Sequence, residues 1–172
     1  ASGGYMAFQN NGVDKFYIGT RGVVSGSGGT GYDFYAVGGN DLRFFGGTLL
    51  TLTLDTSANA TFAGNVIVDS ALLSNQENTD VDTGTETVAN VAIATYTAAF
   101  FDFVIKKTTN VRSGTVYACH DGTNVVFTET STQDVGDTSD VTLSVDISGA
   151  NMRLRATSLS ESWSVKSLIR AI

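Results

Sequence analysis

The sequence predicts an all-β protein: a glycine-rich, interwoven β shaft followed by an antiparallel β-sandwich of jelly-roll type. Three observations lead to this prediction. The 172 residues include no proline, although about nine would be expected at the usual share of roughly 5%. Apolar and polar residues alternate in several segments, as they do in half-buried strands. Glycine is unevenly placed, with 14 of the 19 glycines in residues 1–66.

The first region, residues 1–68, contains short strand patterns separated by glycine and asparagine turns. In the most regular of these patterns Leu50, Leu52 and Leu54 alternate with threonines, so we expect the three leucines to share one face. The glycine-rich stretch 26–31 is predicted to be a loop, since it has no following lysine and helix to make it a phosphate-binding loop. The predicted strands are Tyr5–Gln9, Lys15–Gly19, Tyr32–Val37, Leu42–Phe45, Leu49–Leu54 and Ala60–Phe62.

Strands this short leave many open edges, which are hazards for aggregation unless another chain covers them. A segment of this size also buries too little surface to be comfortably stable alone. Association of identical chains would remove both difficulties. Residues 1–68 are therefore predicted to be a shaft built from several copies of the chain.

The next region, residues 69–86, carries five acidic residues and neither lysine nor arginine. It is predicted to be a solvated acidic linker, with a short helical turn over residues 69–78. The run 80–84, Asp-Val-Asp-Thr-Gly, has some carboxylates of a calcium loop, but it lacks the full oxygen ligand set and the closing glutamate. No metal site is predicted.

The last region, residues 87–172, is predicted to be the sandwich domain. Its turn signals are the stretch 121–124, Asp-Gly-Thr-Asn, and the pair Ser148-Gly149. Seven or eight strands at spacings of about 8–12 residues are typical of sandwiches and jelly rolls. Strict alternation is seen at Val141, Leu143, Val145 and Ile147, at Met152, Leu154 and Ala156, and at Trp163 and Val165.

One predicted strand, Phe100–Ile105, is apolar on both sides. Either the strand is central and buried on both faces, or its outer face meets another subunit. Because sandwich sheets usually bury one face only, we favour the subunit contact.

The composition excludes several classes of function. The net charge is −7 and the pI is about 4.4, which argues against binding to nucleic acid, since phosphate contacts need clustered lysine and arginine. The adjacent basic pair Lys106-Lys107 is predicted to be a strand end in solvent. No apolar run reaches the roughly 18 residues of a membrane helix. A single cysteine cannot form a disulfide within one chain.

No residue pattern indicates catalysis or a cofactor. Cys119 and His120 are strand neighbours, so their side chains should point to opposite faces and not form a nucleophile–base pair. The carboxylates at 134, 137 and 140 are the remaining enzymatic candidate, as a glycosidase pair, but acidic residues around Gly136 are typical of a solvated turn. Trp163 is assigned to the core rather than to a sugar-binding surface. No receptor-binding residue is assigned.

The stretch Leu52–Val68, Leu-Thr-Leu-Asp-Thr-Ser-Ala-Asn-Ala-Thr-Phe-Ala-Gly-Asn-Val-Ile-Val, resembles a motif of bacteriophage tail-fibre proteins. In those proteins the motif stands at the end of a trimeric shaft, before the terminal domain. The segments Phe100–Ile105, Arg112–Val116 and His120–Val125 are similar to terminal β-domains of fibre-like proteins. The resemblance implies a homotrimer, a virion location and contact with a host surface.

The function expected from this resemblance is that of a non-enzymatic virion fibre or appendage that attaches to a host-surface glycan or protein and contacts other virion proteins. The alternatives are a head decoration or baseplate protein without receptor binding, and a non-viral extracellular filament subunit. A glycan depolymerase is a further alternative.

Overall fold

The computed structural model describes residues 4–20, 32–46 and 48–172, and every regular element in them is a β-strand. The all-β prediction is therefore confirmed for these residues. The chain divides into two units, residues 1–64 and 65–172. The glycine-rich stretch 26–31, predicted to be a loop, lies outside the described residues.

The first unit contains two antiparallel sheets of three strands, each connected in sequence order. The strands are β1 (Tyr5–Asn10), β2 (Val13–Thr20), β3 (Tyr32–Ala36), β4 (Leu42–Gly46), β5 (Leu49–Leu54) and β6 (Ala60–Phe62). The six strands predicted for this region are all present, and β1 pairs with β2 across the Asn11-Gly12 turn, where both residues have positive φ.

The expected common face of the three leucines in β5 is interrupted by a register shift. Leu52 lies opposite Phe44, whereas Leu50 lies opposite Phe45, so Thr51 has no partner in the register. An extra residue of this kind reverses the side on which the following residues lie. Leu50 is therefore on the side of Phe45, away from Leu52.

The second unit is formed around a sheet of six strands in the order β12-β11-β10-β15-β8-β7, beside an antiparallel β13–β14 pair. Its strands are β7 (Val66–Val68), β8 (Ala71–Val81), β9 (Gly84–Ala92), β10 (Ala98–Lys107), β11 (Asn110–His120), β12 (Val125–Ser131), β13 (Val141–Ser148), β14 (Asn151–Ser158) and β15 (Trp163–Ala171).

The prediction of an acidic linker at 69–86 was wrong. Residues 71–81 form β8, which pairs with β15 along most of its length, and β9 begins at Gly84. The polar side chains that indicated a linker have partners. Gln76 bonds both main-chain groups of Asn90, and Asn78 donates to Glu86. A strand can carry such residues because hydrogen bonds offset the cost of their partial burial.

One core joins the buried sides of the six-stranded sheet, of β9 and of the β13–β14 pair. The predicted alternation is confirmed in β14 and β15, where Met152, Leu154 and Val165 are completely buried. Trp163, assigned to the core from the sequence, is 1% exposed and donates from Nε1 to Ser160 Oγ at 2.9 Å.

Strand β10 is central in its sheet, between β11 and β15. Phe101, Phe103 and Ile105 are buried in the core, while Val104 on the other side is 40% exposed. The strand is thus not buried on both faces. The subunit contact expected on its outer side remains a prediction.

Candidate functional site

The sheet β1–β3 has two chemically different sides, and the first is apolar. Phe8 lies opposite Phe16, and Phe16 also contacts Phe34, with ring centroids 5.8 and 6.2 Å apart. Met6 and Ile18 form the next pair on this side. We call Met6, Phe8, Phe16, Ile18 and Phe34 the phenylalanine face. Much of it meets solvent in the single chain, since Met6 is 59%, Phe8 47% and Phe34 64% exposed.

The opposite side of the same sheet carries tyrosines. Tyr17 lies edge-on to Tyr5 and parallel to Tyr35, at centroid distances of 5.3 and 6.4 Å. We call Tyr5, Tyr17, Tyr35 and the adjoining Asp14 the tyrosine face. Tyr17 donates its hydroxyl proton to Asp14, a hydrogen bond that raises the pKa of Tyr17 to about 12 and lowers that of Asp14.

A β-bulge places Asp14 on the tyrosine face. Phe8 pairs with Phe16 but Gln9 pairs with Asp14, so Lys15 is the extra residue. In a regular strand Asp14, two positions before Phe16, would share its side. With the bulge, Asp14 lies on the other side and also accepts a hydrogen bond from Gln9 Nε2 at 2.7 Å.

The sheet β4–β6 is likewise one layer with an apolar side. Leu42 pairs with Leu54, and Phe44, Leu52 and Phe62 follow in one row across the three strands. Phe44 is 46% and Phe62 51% exposed. The other side carries Thr53, Thr61 and Arg43, whose guanidinium lies 5.2 Å from the ring centre of Phe45. A hollow of about 360 Å³ in the same unit is lined in part by Phe34, Leu42 and Leu54.

The stretch Leu52–Val68 includes the hairpin of β5 and β6. Asp55 Oδ1 accepts the main-chain N–H groups of Ser57 and Asn59, both at 2.9 Å, and Oδ2 accepts the side chain of Asn59 at 3.0 Å. The hydrogen bonds from Asn59 lower the pKa of Asp55. Ala58 in this turn has a φ of 65°. The aspartate and asparagine of the motif thus fix a turn geometry.

No family model, no curated protein and no solved structure matches this chain. The residues themselves must therefore carry any functional conclusion.

The two residues considered as a dyad do not face each other. His120 Nε2 lies 2.7 Å from the main-chain oxygen of Tyr96, and Nδ1 accepts the N–H of Gly122 at 3.0 Å. Both ring nitrogens are thus engaged with the main chain. Cys119 is exposed at the rim of a shallow hollow of about 310 Å³, which Phe100 and Tyr117 also line.

Each of the three carboxylates considered for glycoside hydrolysis accepts a hydrogen bond, and those of Asp134 and Asp137 hold a local turn. Asp134 accepts both the N–H and the hydroxyl of Thr138, at 3.0 and 2.6 Å. Asp137 accepts the N–H of Ser139, and Asp140 accepts the hydroxyl of Ser160. Hydrogen bonds from Thr138 and Ser139 lower the pKa values of Asp134 and Asp137 respectively. Asp134 and Asp137 are therefore ionised acceptors at neutral pH.

In the run considered for calcium, Asp80 lies near the end of β8, and Asp82 accepts the N–H of Ser162 at 3.3 Å. Within residues 4–20, 32–46 and 48–172, no group of three or more histidine, cysteine or acidic side chains is arranged to hold a metal ion. The same residues include no helix long and apolar enough to cross a bilayer.

The two aromatic faces of the sheet β1–β3 were not predicted from the sequence. The signal was available in the adjacent pairs Phe16-Tyr17 and Phe34-Tyr35. Neighbours in a strand point to opposite sides, so each pair places phenylalanine on one side and tyrosine on the other.

Proposed function

We propose that this chain is the structural subunit of a homotrimeric fibre or appendage on a virion and mediates attachment to a host surface. Residues 1–64 would form the shaft, and residues 65–172 would form the terminal domain, a β-sandwich. The proposal rests on one observation. Each three-stranded sheet of the first unit has one apolar side, and large side chains on that side are exposed.

The aromatic area that the first unit exposes to solvent is large for a surface without a partner. Four phenylalanines, Phe8, Phe34, Phe44 and Phe62, are 47%, 64%, 46% and 51% exposed. At roughly 200 Å² per ring, they leave about 400 Å² of aromatic surface in water. An exposed apolar patch of a few hundred Å² on a soluble protein is often functional. The four rings are divided between two sheets, and three chains would contribute about 1,200 Å² of them, shared among the contacts between copies.

Identical chains are the simplest source of a matching surface. Among the described residues of the first unit, these sides are partly exposed, and no further strand pairs with the outer strands of either sheet. A sheet with one apolar side is stabilised when it buries that side against another layer. Copies related by a symmetry axis would bring the same apolar sides together and bury them.

The position of the fibre-like motif, Leu52–Val68, supports the proposed division of the chain into a shaft and a terminal domain. Its hairpin closes the first unit, and the motif continues past Gly64 into β7 of the second unit. The second unit has a core of its own, with Phe101, Ile105 and Trp163 buried. A self-sufficient domain after a dependent shaft segment is suited to contact with a host surface.

The test is the mass of the full chain in solution, measured by sedimentation equilibrium. We expect a stable species of three chains. Phe44→Ser should dissociate it at micromolar concentration, whereas Thr53→Ser, on the other side of the same sheet, should not. A wild-type chain that sediments as a monomer would overturn the proposal.

Attachment needs a separate measurement. The assembled protein should bind whole host cells or their surface polysaccharide. If the trimer forms but binds neither, the protein is a scaffold of the particle rather than a receptor reader.

A further inference from the structure

We infer that the phenylalanine face of the sheet β1–β3 is turned toward the sister chains, while its tyrosine face stays in water. This inference rests on the proposed oligomer and adds the orientation of one sheet within it. The occupant of the phenylalanine face is a second copy of the same chain.

Burial of the phenylalanine face removes apolar area and leaves no polar group without a partner. Its side chains are Met6, Phe8, Phe16, Ile18 and Phe34, none of which has a polar hydrogen-bonding group. The rings of Phe8 and Phe34 leave roughly 200 Å² exposed in each chain. Burial of this apolar area is favourable, because it removes the rings from water.

Burial of the tyrosine face would instead remove a charge from water. The carboxylate of Asp14 is held there by Tyr17 and by Gln9, whose Nε2 is 2.7 Å away. Both hydrogen bonds lower the pKa of Asp14, so the group is charged at neutral pH. In a symmetric assembly the covered side of each copy would bring its own carboxylate near the others. Like charges in a dry contact are strongly unfavourable.

Adjacent residues allow a direct test, because Met6 and Ala7 are neighbours on opposite faces and both are exposed in the single chain. The full chain would carry Cys119→Ser, so that one thiol is present. Met6→Cys and Ala7→Cys are then compared by their rates of reaction with a maleimide, at a protein concentration at which the oligomer is intact. A second pair, Phe34→Cys and Tyr35→Cys, guards against a variant that fails to fold.

We expect the thiols at 6 and 34 to react at least tenfold more slowly than those at 7 and 35, with the difference lost in urea. An oligomer in which 7 and 35 are the protected positions, or in which all four react alike, would overturn the inference and leave the proposed oligomer standing. A monomeric chain with four fast thiols would overturn both.

Discussion

The guanidinium of Arg153 binds the carboxylate of Asp146 through two parallel hydrogen bonds, from Nε at 2.8 Å and from Nη2 at 2.6 Å. The two residues face each other across β13 and β14. Arg155 adds a third bond to Asp146 at 2.9 Å and donates to the main-chain oxygens of Thr85 and Glu86. This network links the β13–β14 pair to β9.

The pair makes stability depend on pH. The hydrogen bond from Arg153 is the main cause that lowers the pKa of Asp146, so the folded chain holds the carboxylate charged to lower pH than the unfolded chain does. The contribution is complete above the unfolded pKa of about 3.9 and is lost as pH falls through the folded value. Asp146→Asn should cost about 1 kcal/mol at pH 7, a small figure because the carboxylate is 41% exposed.

Urea unfolding followed by Trp163 emission checks this, since that tryptophan is buried in the same unit. The difference between Asp146→Asn and wild type should shrink below pH 4. Glu161→Gln, at an exposed position, serves as the control. A difference that persists unchanged at pH 2 would contradict the assignment.

Gly114 allows β11 to approach β12 and the core. A Cβ at this position would lie 2.2 Å from the main-chain oxygen of Thr130 and 3.0 Å from the ring of Phe103. Gly114→Ala should therefore lower the free energy of unfolding by about 2 kcal/mol. Gly64→Ala is the control, because nothing lies within 4 Å of its added Cβ. Denaturant midpoints compare the two, and equal midpoints would show that the strands can separate at little cost.

Two buried serines on neighbouring strands should respond in opposite ways. The described residues offer the hydroxyl of Ser167 no hydrogen-bond partner, although the residue is 1% exposed. Ser74 is 5% exposed and bonds Asn65 at 2.6 Å. Ser167→Ala should be neutral or stabilising by up to about 1 kcal/mol, whereas Ser74→Ala should cost about 1 kcal/mol. Thermal unfolding measures both, and a clear loss for Ser167→Ala would contradict the assignment.

Ala58 holds a backbone conformation that glycine adopts more easily. Its φ is 65°, in the turn that Asp55 organises. Ala58→Gly should stabilise the hairpin by about 0.5 kcal/mol, after the strain relieved is set against the greater freedom of glycine in the unfolded chain. Hydrogen exchange in β5 and β6 provides the measurement. Ala60→Gly, inside β6, should lower protection instead.

Local alternation was enough to predict strands and the buried side of β14 and β15, because a period of two reflects one-sided burial directly. It failed at residues 71–81, where the polarity of Gln76 and Asn78 indicates a loop although the residues form a strand. Their partners, Asn90 and Glu86, are brought to them by tertiary structure. The two bulges could not be predicted from the sequence either, because the extra residues Lys15 and Thr51 are recognised only from the register with the partner strand.

The bulge at Lys15 in β2 controls where a negative charge is displayed. In a regular strand, the aspartate two positions before Phe16 would project from the same side as Phe16. A threefold arrangement would then collect three such carboxylates at its centre. One irregularity in a strand thus keeps electrostatic repulsion out of the surface through which copies of the chain are proposed to meet.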